Sequence, residues 1–255
     1  MNKLLQFTFL EFKMVFRVPI SIFFSFLFPQ LLLFTLMTTS QNPIISGNVH
    51  FVDIYFPSLS LLTLLTSGIT SFSILVSINR SEKFWQTYIL KGFKLYHIIF
   101  SQLFVYIILS FISTLLVIIS SNLFYSLILP SFNDFIIFCL LWFLSAFIIF
   151  LIGFFIGSFS KNEKVAQQTS TVIMFVLMVF TGTFGNISSF PQYVLNFVKF
   201  LPTSQIYYIL YNYWGNSWIT GNLEKFAISW EILFIWAMIL LISVIWKLKK
   251  DNLTR

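Results

Sequence analysis

The hydrophobic residues of this chain form six long, nearly continuous stretches that are separated by short polar segments. These stretches cover about residues 18–40, 57–78, 97–120, 135–158, 166–185 and 230–246. About 20 consecutive apolar residues suffice for a helix that crosses a bilayer. A β-barrel would instead show alternating polar and apolar residues. The pattern therefore predicts an all-α membrane protein with six transmembrane helices, built as one transmembrane domain over residues 1–255.

Two further segments predict helices that do not cross the membrane. Residues 1–17 place polar side chains, Lys13 and Arg17 among them, mainly on one helical face, which is typical of an interfacial helix. Residues 186–229 are interrupted by prolines and are rich in Tyr and Trp, whose rings favour the headgroup level. We expect an outer re-entrant or interfacial helical hairpin there, between spans five and six.

The distribution of charge predicts the orientation. Only 9% of the residues are charged, against roughly 25% in soluble domains. Of the 15 Lys and Arg residues, all but Lys199 and Lys225 fall on one side of the six-span layout. Short loops rich in Lys and Arg stay in the cytoplasm. We therefore expect a multi-pass protein of the cell (plasma) membrane with both termini cytoplasmic. The net charge of +7 then reflects attraction to anionic membrane lipid and not to nucleic acid.

The sequence contains no recognisable ion-coupling, nucleotide-binding or metal-binding motif. No charged residue lies deep in a predicted span, which argues against an ion-coupled transporter. None of the nine Gly residues precedes a Lys, so there is no phosphate-binding loop. His50 and His97 are isolated, and no metal cluster is visible. We expect no catalytic residue, no metal and no cofactor in this chain, and we expect its energy to come from a partner.

The predicted cytoplasmic segment, residues 79–96, is the first candidate for function. On a helical wheel one face is basic and the other aromatic. The basic face holds Arg80, Lys83, Thr87, Lys91 and Lys94, and the other holds Phe84, Trp85, Tyr88 and Ile89. A helix of this kind suits docking onto a soluble motor subunit. An ordinary basic loop anchored to anionic lipid is the alternative.

Polar side chains on two spans are candidates for a translocation path. They are Ser60, Thr63, Ser67 and Thr70 on the second span, and Gln168 and Thr171 at the inner end of the fifth. The alternative for the second span is close helix packing, where small Ser and Thr residues are common. The alternative for the fifth is solvation at the membrane edge. In the outer hairpin, Pro191 and Pro202 remove helix donors and punctuate a segment that is either a gate or a capping loop.

The order of these parts resembles the membrane subunit of type-2 ATP-binding-cassette (ABC) exporters. The best-matched stretches are Gly157-Ser-Phe-Ser-Lys-Asn-Glu-Lys-Val-Ala-Gln-Gln, Phe180-Thr-Gly-Thr-Phe-Gly, Ser189-Phe-Pro-Gln-Tyr-Val-Leu and Leu201-Pro-Thr. Gly182 and Phe184 match the end of the family's fifth span, where Gly185 replaces a proline. Phe190-Pro191 and Leu201-Pro202 fit its two Leu-Pro-like pairs. The segment 79–96 resembles the family's coupling helix, although Phe84 stands near an expected Gly and Gly92 near an expected Pro.

The resemblance implies a permease subunit that is not itself an enzyme. It would export a hydrophobic or amphipathic cargo such as a drug, an antimicrobial peptide or a lipid. Its partners would be an ABC nucleotide-binding subunit holding ATP and magnesium, a second permease subunit (a copy or a relative) and membrane lipid. The residues implied in coupling to the ATPase are Arg80, Lys83, Trp85, Thr87, Lys91, Lys94, Lys161 and Lys164, and those in an outer gate are Gly182, Phe184, Pro191 and Pro202.

Three other functions stay open at this point. A permease that exports a lipid-linked polysaccharide would share the architecture. A non-transporting membrane anchor or immunity protein would not depend on an ATPase. An intramembrane enzyme is disfavoured, because no paired Asp, His or Glu lies inside the spans.

Overall fold

The computed structural model describes residues 3–15, 22–46, 48–181, 190–215 and 227–253. Within them the chain is almost entirely helical, as predicted. The helices are α1 (Lys3–Val15), α2 (Phe23–Ser40), α3 (Phe51–Ser81), α4 (Phe84–Leu90), α5 (Leu95–Tyr125), α6 (Phe132–Phe159), α7 (Glu163–Phe180), α8 (Gln192–Val198), α9 (Pro202–Trp214) and α10 (Trp230–Leu253). Two short strands, β1 (Ile44–Ser46) and β2 (Val49–His50), form an antiparallel ribbon between α2 and α3 that the sequence did not predict.

Five of the described helices are long and apolar enough to cross a membrane. They are α2, α3, α5, α6 and α10. The helix α7 contains most of the predicted fifth span but is not among them. Its N-terminal half is polar, with Glu163, Lys164 and two glutamines ahead of the apolar run. The chain is therefore a multi-pass helical membrane protein, and the count of six spans stays a prediction.

The helix α3 lies at the centre of the bundle. It is in contact with α2, α5, α6, α7 and α9, and nearly all of its side chains are buried. Its middle, Leu65–Ser71, is wound as a π-helix. Ser, Thr and Gly are frequent there because small side chains let neighbouring helices approach closely. An apolar helix with a stripe of small polar residues is thus the scaffold on which the other helices pack.

The predicted outer hairpin contains one surface helix and one core helix. In α8 most side chains are exposed, whereas in α9 every side chain except Tyr213 is buried. The Trp214 ring lies 4.1 Å from Phe56 of α3 and 5.1 Å from Phe138 of α6, between ring centroids. The Tyr and Trp content predicted a position at the headgroup level, which stays a prediction; the structure shows that Trp214 packs between α3 and α6.

Polar side chains join the helices at the end of the bundle that carries the β-ribbon. We call this end the ribbon end. The Asp53 carboxylate accepts hydrogen bonds from the backbone N–H groups of His50 and Ile128, each at 2.7 Å. Asn42 donates to the Tyr125 carbonyl at 3.0 Å and accepts from the Val52 N–H at 2.9 Å. These bonds join the start of α3 to the end of α5 and fix the bundle at this end.

Candidate functional site at the cationic end

The end of the bundle opposite the ribbon collects most of the polar candidates. The C-terminal ends of α3 and α6, the N-terminal ends of α5 and α7, and the short helices α1 and α4 lie there. We call it the cationic end, because exposed lysines flank α4 and lie in and just after the loop that precedes α7: Lys83, Lys91, Lys94, Lys161 and Lys164. Exposed cations spread over several elements form a surface that suits an acidic protein partner or anionic lipid.

Arg80 binds two of these elements together. Its Nη1 donates to the carbonyl of Ser158 and, at 3.2 Å, to the carbonyl of Ser160. These carbonyls close α6, where unpaired acceptors and the helix dipole favour a cation. The side chain predicted to belong to the docking face is thus engaged within the chain. It holds the loop with Lys161 against the end of α3.

The helix α4 is shorter than the predicted segment 79–96 and is set off by two sharp turns. It begins after Lys83, which has a left-handed φ of 59°, and ends before Gly92, with a φ of 85°. Gly adopts this conformation freely, whereas for other residues it costs roughly 1–2 kcal/mol. Thr87 and the flanking lysines are exposed, and Trp85 is buried. The lysines of the predicted basic face thus flank α4, and of the predicted aromatic face Trp85 is buried whereas Phe84 is exposed.

Trp85 faces the bundle and not a partner. Only 7% of it is exposed, and its ring stacks on Phe154 of α6 with centroids 6.0 Å apart and planes 9° from parallel. Its indole N–H points to the Gln102 Oε1 of α5 at 3.5 Å, a long hydrogen bond. Trp85 can thus transmit the position of α4 to α5 and α6, but it presents little surface for docking.

A buried carboxyl extends this link to α1. The Nε2 of Gln102 donates to the Glu11 Oε1 at 2.7 Å, and Glu11 is only 1% exposed. The residues Glu11, Gln102 and Trp85, which we call the amide relay, therefore connect α1, α5 and α4. Sequence reasoning passed over Glu11 and Gln102. The available signal was a lone acidic residue between Leu10 and Phe12, away from the polar stripe of α1.

Aromatic packing surrounds the amide relay. Phe7 of α1 meets Tyr88 edge to face at 4.9 Å and Phe93 at 5.5 Å, between ring centroids. Burial raises the pKa of Glu11 to about 7, and the hydrogen bond from Gln102 lowers it only in part. Burial, together with the charge of Glu11, also raises the pKa of Tyr88. The site thus contains a carboxyl whose charge state changes near neutral pH.

The predicted path residues fall into two groups. Those on α3 are fully buried inside the chain: Ser60, Thr63, Ser67 and Thr70. Those on α7 reach its surface, since Gln168 is exposed and Thr171 is half-buried. The α7 residues are thus the ones placed to line a space outside this subunit. A path role for either group stays a prediction.

The buried hydroxyls make contacts between helices. Thr63 lies 2.6 Å from Thr114 of α5, between hydroxyl oxygens. Ser67 lies 3.4 Å from Ser25 of α2, and Thr70 donates to the Met174 sulfur of α7 at 3.3 Å. These contacts support the packing interpretation of the hydroxyl stripe.

The predicted outer gate is only partly described. Gly182 and Phe184 lie outside the described residues. Pro191 is exposed and immediately precedes α8, and Pro202 is buried and begins α9. Among the described residues, no group of three or more His, Cys, Asp and Glu side chains could hold a metal ion.

Comparison with known proteins gives one match. Residues 34–247, from within α2 to within α10, match the family described as ABC-2 family transporter protein. The matched region includes the whole segment from Arg80 to Lys94, and α1 precedes it. No curated protein matches the chain significantly.

Proposed function

The chain belongs to the ABC-2 family of transporter proteins, and from that premise we propose that it is the permease subunit of an ATP-driven exporter. Membership makes it a membrane permease of an ABC transporter and implies association with an ABC nucleotide-binding subunit. We propose that its cargo is hydrophobic or amphipathic, such as a drug, an antimicrobial peptide or a lipid, and that it leaves the cytoplasm.

The observation that carries the coupling part of the proposal is the cationic end. Three of the exposed lysines, Lys83, Lys91 and Lys94, lie just before or after α4, and two more, Lys161 and Lys164, lie in the loop before α7 and in its first turn. Arg80 ties the end of α3 to the end of α6, next to that loop. A separate ATPase that binds ATP and magnesium would dock there. The sequence offers no phosphate-binding loop of its own, so the ATPase would supply the energy.

The contacts of α4 suggest how movement of the ATPase reaches the spans. A displacement of α4 would act on α6 through the stacked rings of Trp85 and Phe154, and on α5 through Gln102. A displacement of the loop at Ser160 would act on α3 through Arg80. Rigid, packed interfaces convert small shifts into a change between two arrangements. In this proposal the helices around α3 move as packed bodies.

The exposed side of α7 supports an apolar path between two permease subunits. Beyond Gln168 and Thr171, its exposed side chains are apolar: Val172, Phe175, Val176 and Val179. A second permease subunit, either a copy or a relative, would face this side. A surface of this composition favours apolar and amphipathic cargo over a long polar or acidic one.

The docking proposal can be tested by reversing charge on one end only. The chain is expressed together with its ABC ATPase partner, and the complex is purified in lipid nanodiscs. The variant Lys83→Glu/Lys91→Glu/Lys94→Glu should no longer retain the ATPase, because the docking surface becomes acidic. Lys199→Glu, an exposed lysine of the hairpin, is the matched control and should retain it. Equal retention by the two variants would contradict docking at the cationic end.

The cargo class needs a separate measurement. ATP turnover of the wild-type complex is measured with a hydrophobic dye, a cationic amphipathic peptide, a short-chain phospholipid and a soluble acidic polysaccharide. Stimulation by one of the first three is expected. Stimulation by the polysaccharide alone would favour the polysaccharide-exporter alternative. Uptake of the stimulating compound into inside-out vesicles, dependent on ATP, then tests the direction of transport.

A further inference from the structure

Glu11 is a buried acid without a counter-charge in the described part of the chain. It lies on α1, and its Oε1 accepts the hydrogen bond from Gln102 at 2.7 Å. Its Oε2 is buried and has no hydrogen-bond partner among the described side chains. A buried carboxylate in that position is unfavourable, whereas a protonated carboxyl needs no counter-charge. The environment of Glu11 thus favours the proton-bound form.

The titratable groups on the helices around Glu11 offer no close compensation. On α4, Tyr88 is the group whose charge interacts with Glu11. The ammonium of Lys91 lies 5.8 Å from the centre of the Tyr88 ring, and that of Lys94 lies 5.9 Å from the Tyr96 ring. On α5, Glu11 contacts the uncharged Gln102, and the His97 ring lies against that of Tyr96, with centroids 4.1 Å apart. On α1 itself, Lys13 is exposed. The raised pKa of Glu11, about 7, is consistent with this arrangement.

Glu11 determines which way the Gln102 amide points. Because the Gln102 NH₂ group donates to Glu11, its oxygen is directed at the Trp85 indole N–H. Without an acceptor at Glu11, either orientation of the amide would be open and Trp85 would lose a defined partner. Trp85 is the side chain through which α4 packs against Phe154 of α6. A residue on α1 can therefore set the position of the exposed lysines that flank α4.

We propose that Glu11 is a positioning residue for energy coupling: by orienting Gln102 it holds Trp85, and with it α4, in the position where the ATPase docks. This inference rests on the proposed function, since it concerns the same docking surface. Ionisation strengthens the hydrogen bond from Gln102 to Glu11, but the cost of burying the charge is larger than this gain, so that the net pKa is raised. Ionisation therefore destabilises the arrangement in which Glu11 is buried, and with it the amide relay. Coupling should therefore decline as the pH rises through about 7.

The test compares three variants in the complex with the ATPase. Glu11→Gln keeps an acceptor oxygen for Gln102 but cannot titrate, and Glu11→Leu removes the acceptor. Glu82→Gln is the matched control, because Glu82 is an exposed acid beside α4. ATP turnover of each complex is measured from about pH 6 to about pH 8, on both sides of the Glu11 pKa. Hydrogen–deuterium exchange of α4 is measured on the full-length chain without the ATPase.

Three results are expected. Wild type and Glu82→Gln lose turnover with rising pH, whereas Glu11→Gln keeps the acidic-pH value throughout. Glu11→Leu has low turnover at every pH. Its α4 amides exchange roughly two- to tenfold faster than in wild type, which is the change expected when the net contribution of one hydrogen bond is lost. Should Glu11→Leu fail to fold, Gln102→Leu replaces it with the same expectation.

The inference is overturned if Glu11→Leu matches wild type in turnover and exchange, or if Glu11→Gln retains the pH dependence of wild type. These outcomes differ from failure of the proposed function, in which the wild-type chain itself neither binds the ATPase nor alters its turnover. In that case the exchange of α4 in the isolated chain still reports whether Glu11 holds it.

Discussion

Gly153 of α6 packs directly against the backbone of Gly68 in α3. A Cβ atom at Gly153 would overlap the Gly68 carbonyl oxygen and lie 2.9 Å from its carbonyl carbon. One turn further along α6, a Cβ at Gly157 would overlap the carbonyl oxygen of Ser73. Two glycines four residues apart therefore bring the backbones of two spans together. Phe154, the ring on which Trp85 stacks, is held against α3 by this contact.

Gly153→Ala should destabilise the protein by about 3 kcal/mol, the upper end of the usual cost of overpacking, because backbone atoms cannot move aside. Gly68→Ala is the matched variant. There the nearest atoms are the side chains of Ile149, at 2.9 Å, and Phe150, at 3.1 Å, which can adjust. The expected cost is about 1 kcal/mol. Unfolding in detergent measures both, and equal effects would contradict the described contact.

Arg80→Ala should lower stability more than it lowers affinity for the ATPase. The guanidinium donates to two carbonyls that end α6, so its loss leaves these acceptors without the cation. We expect a cost of about 1.5–3 kcal/mol, typical of hydrogen bonds to a charged group. Thermal unfolding of the isolated chain and titration with the ATPase separate the two effects. If Arg80→Ala reduced the affinity for the ATPase and left stability unchanged, Arg80 would belong to the docking face after all.

Stability should fall with rising pH in the window set by Glu11. Its ordinary pKa of 4.5 is raised to about 7 in the folded chain, so the folded state holds the proton more tightly. This contribution is fully present below about pH 4.5, declines as the pH rises and is lost above about pH 7. It amounts to about 3 kcal/mol, since a tenfold change in acidity corresponds to about 1.4 kcal/mol.

The melting temperature of the wild-type chain across this pH window provides the measurement. Glu11→Gln should remove the slope between about pH 4.5 and about pH 7 and leave the slopes outside it unchanged. Glu82→Gln, at an exposed position, should leave the whole profile unaltered. A wild-type profile that is flat across the window, or a slope that survives in Glu11→Gln, would refute the assignment to Glu11.

Much of the helical layout follows from hydropathy alone, because continuous apolar runs leave few alternatives to membrane helices. The exposure of Thr87 and the burial of Trp85 could likewise be predicted, since helical periodicity places these two residues of α4 on different sides. Burial of α9 could not, because its aromatic and polar residues suit a headgroup position as well as a core position. The neighbours Phe56 and Phe138 decide between them, and they are distant in sequence.

The contacts that the candidate-site residues make with one another could not be predicted from the sequence either. Arg80 and Trp85 both fit a docking face by composition, but each is bound inside the chain by residues more than 15 positions away. Glu11 and Gln102 are separated by 91 positions. A periodic pattern describes one helix at a time, and it cannot show which neighbouring helix supplies the partner of a buried polar group.

The two ends of the bundle should be labelled from opposite sides of the membrane. Cys139 is first replaced by Ser so that only the introduced thiol reacts. A membrane-impermeant maleimide added to intact cells should label Asn48→Cys, at the ribbon end, and should label Ser81→Cys only after the membrane is opened. Both residues are exposed, so access depends on the side alone. The reverse result would invert the orientation expected from the lysine distribution.

Accessibility to the same reagent can also separate the two groups of path residues. In the Cys139→Ser background of the detergent-solubilised chain, Gln168→Cys and Thr171→Cys should react, because α7 presents these positions at its surface. Ser67→Cys and Thr70→Cys should be protected, since both positions are fully buried against α2 and α7. In the complex with the ATPase and a non-hydrolysable ATP analogue, an inter-subunit path predicts that labelling of the α7 positions changes with nucleotide. Labelling of Ser67→Cys in every state would instead place the path inside the subunit, between α3 and its neighbours.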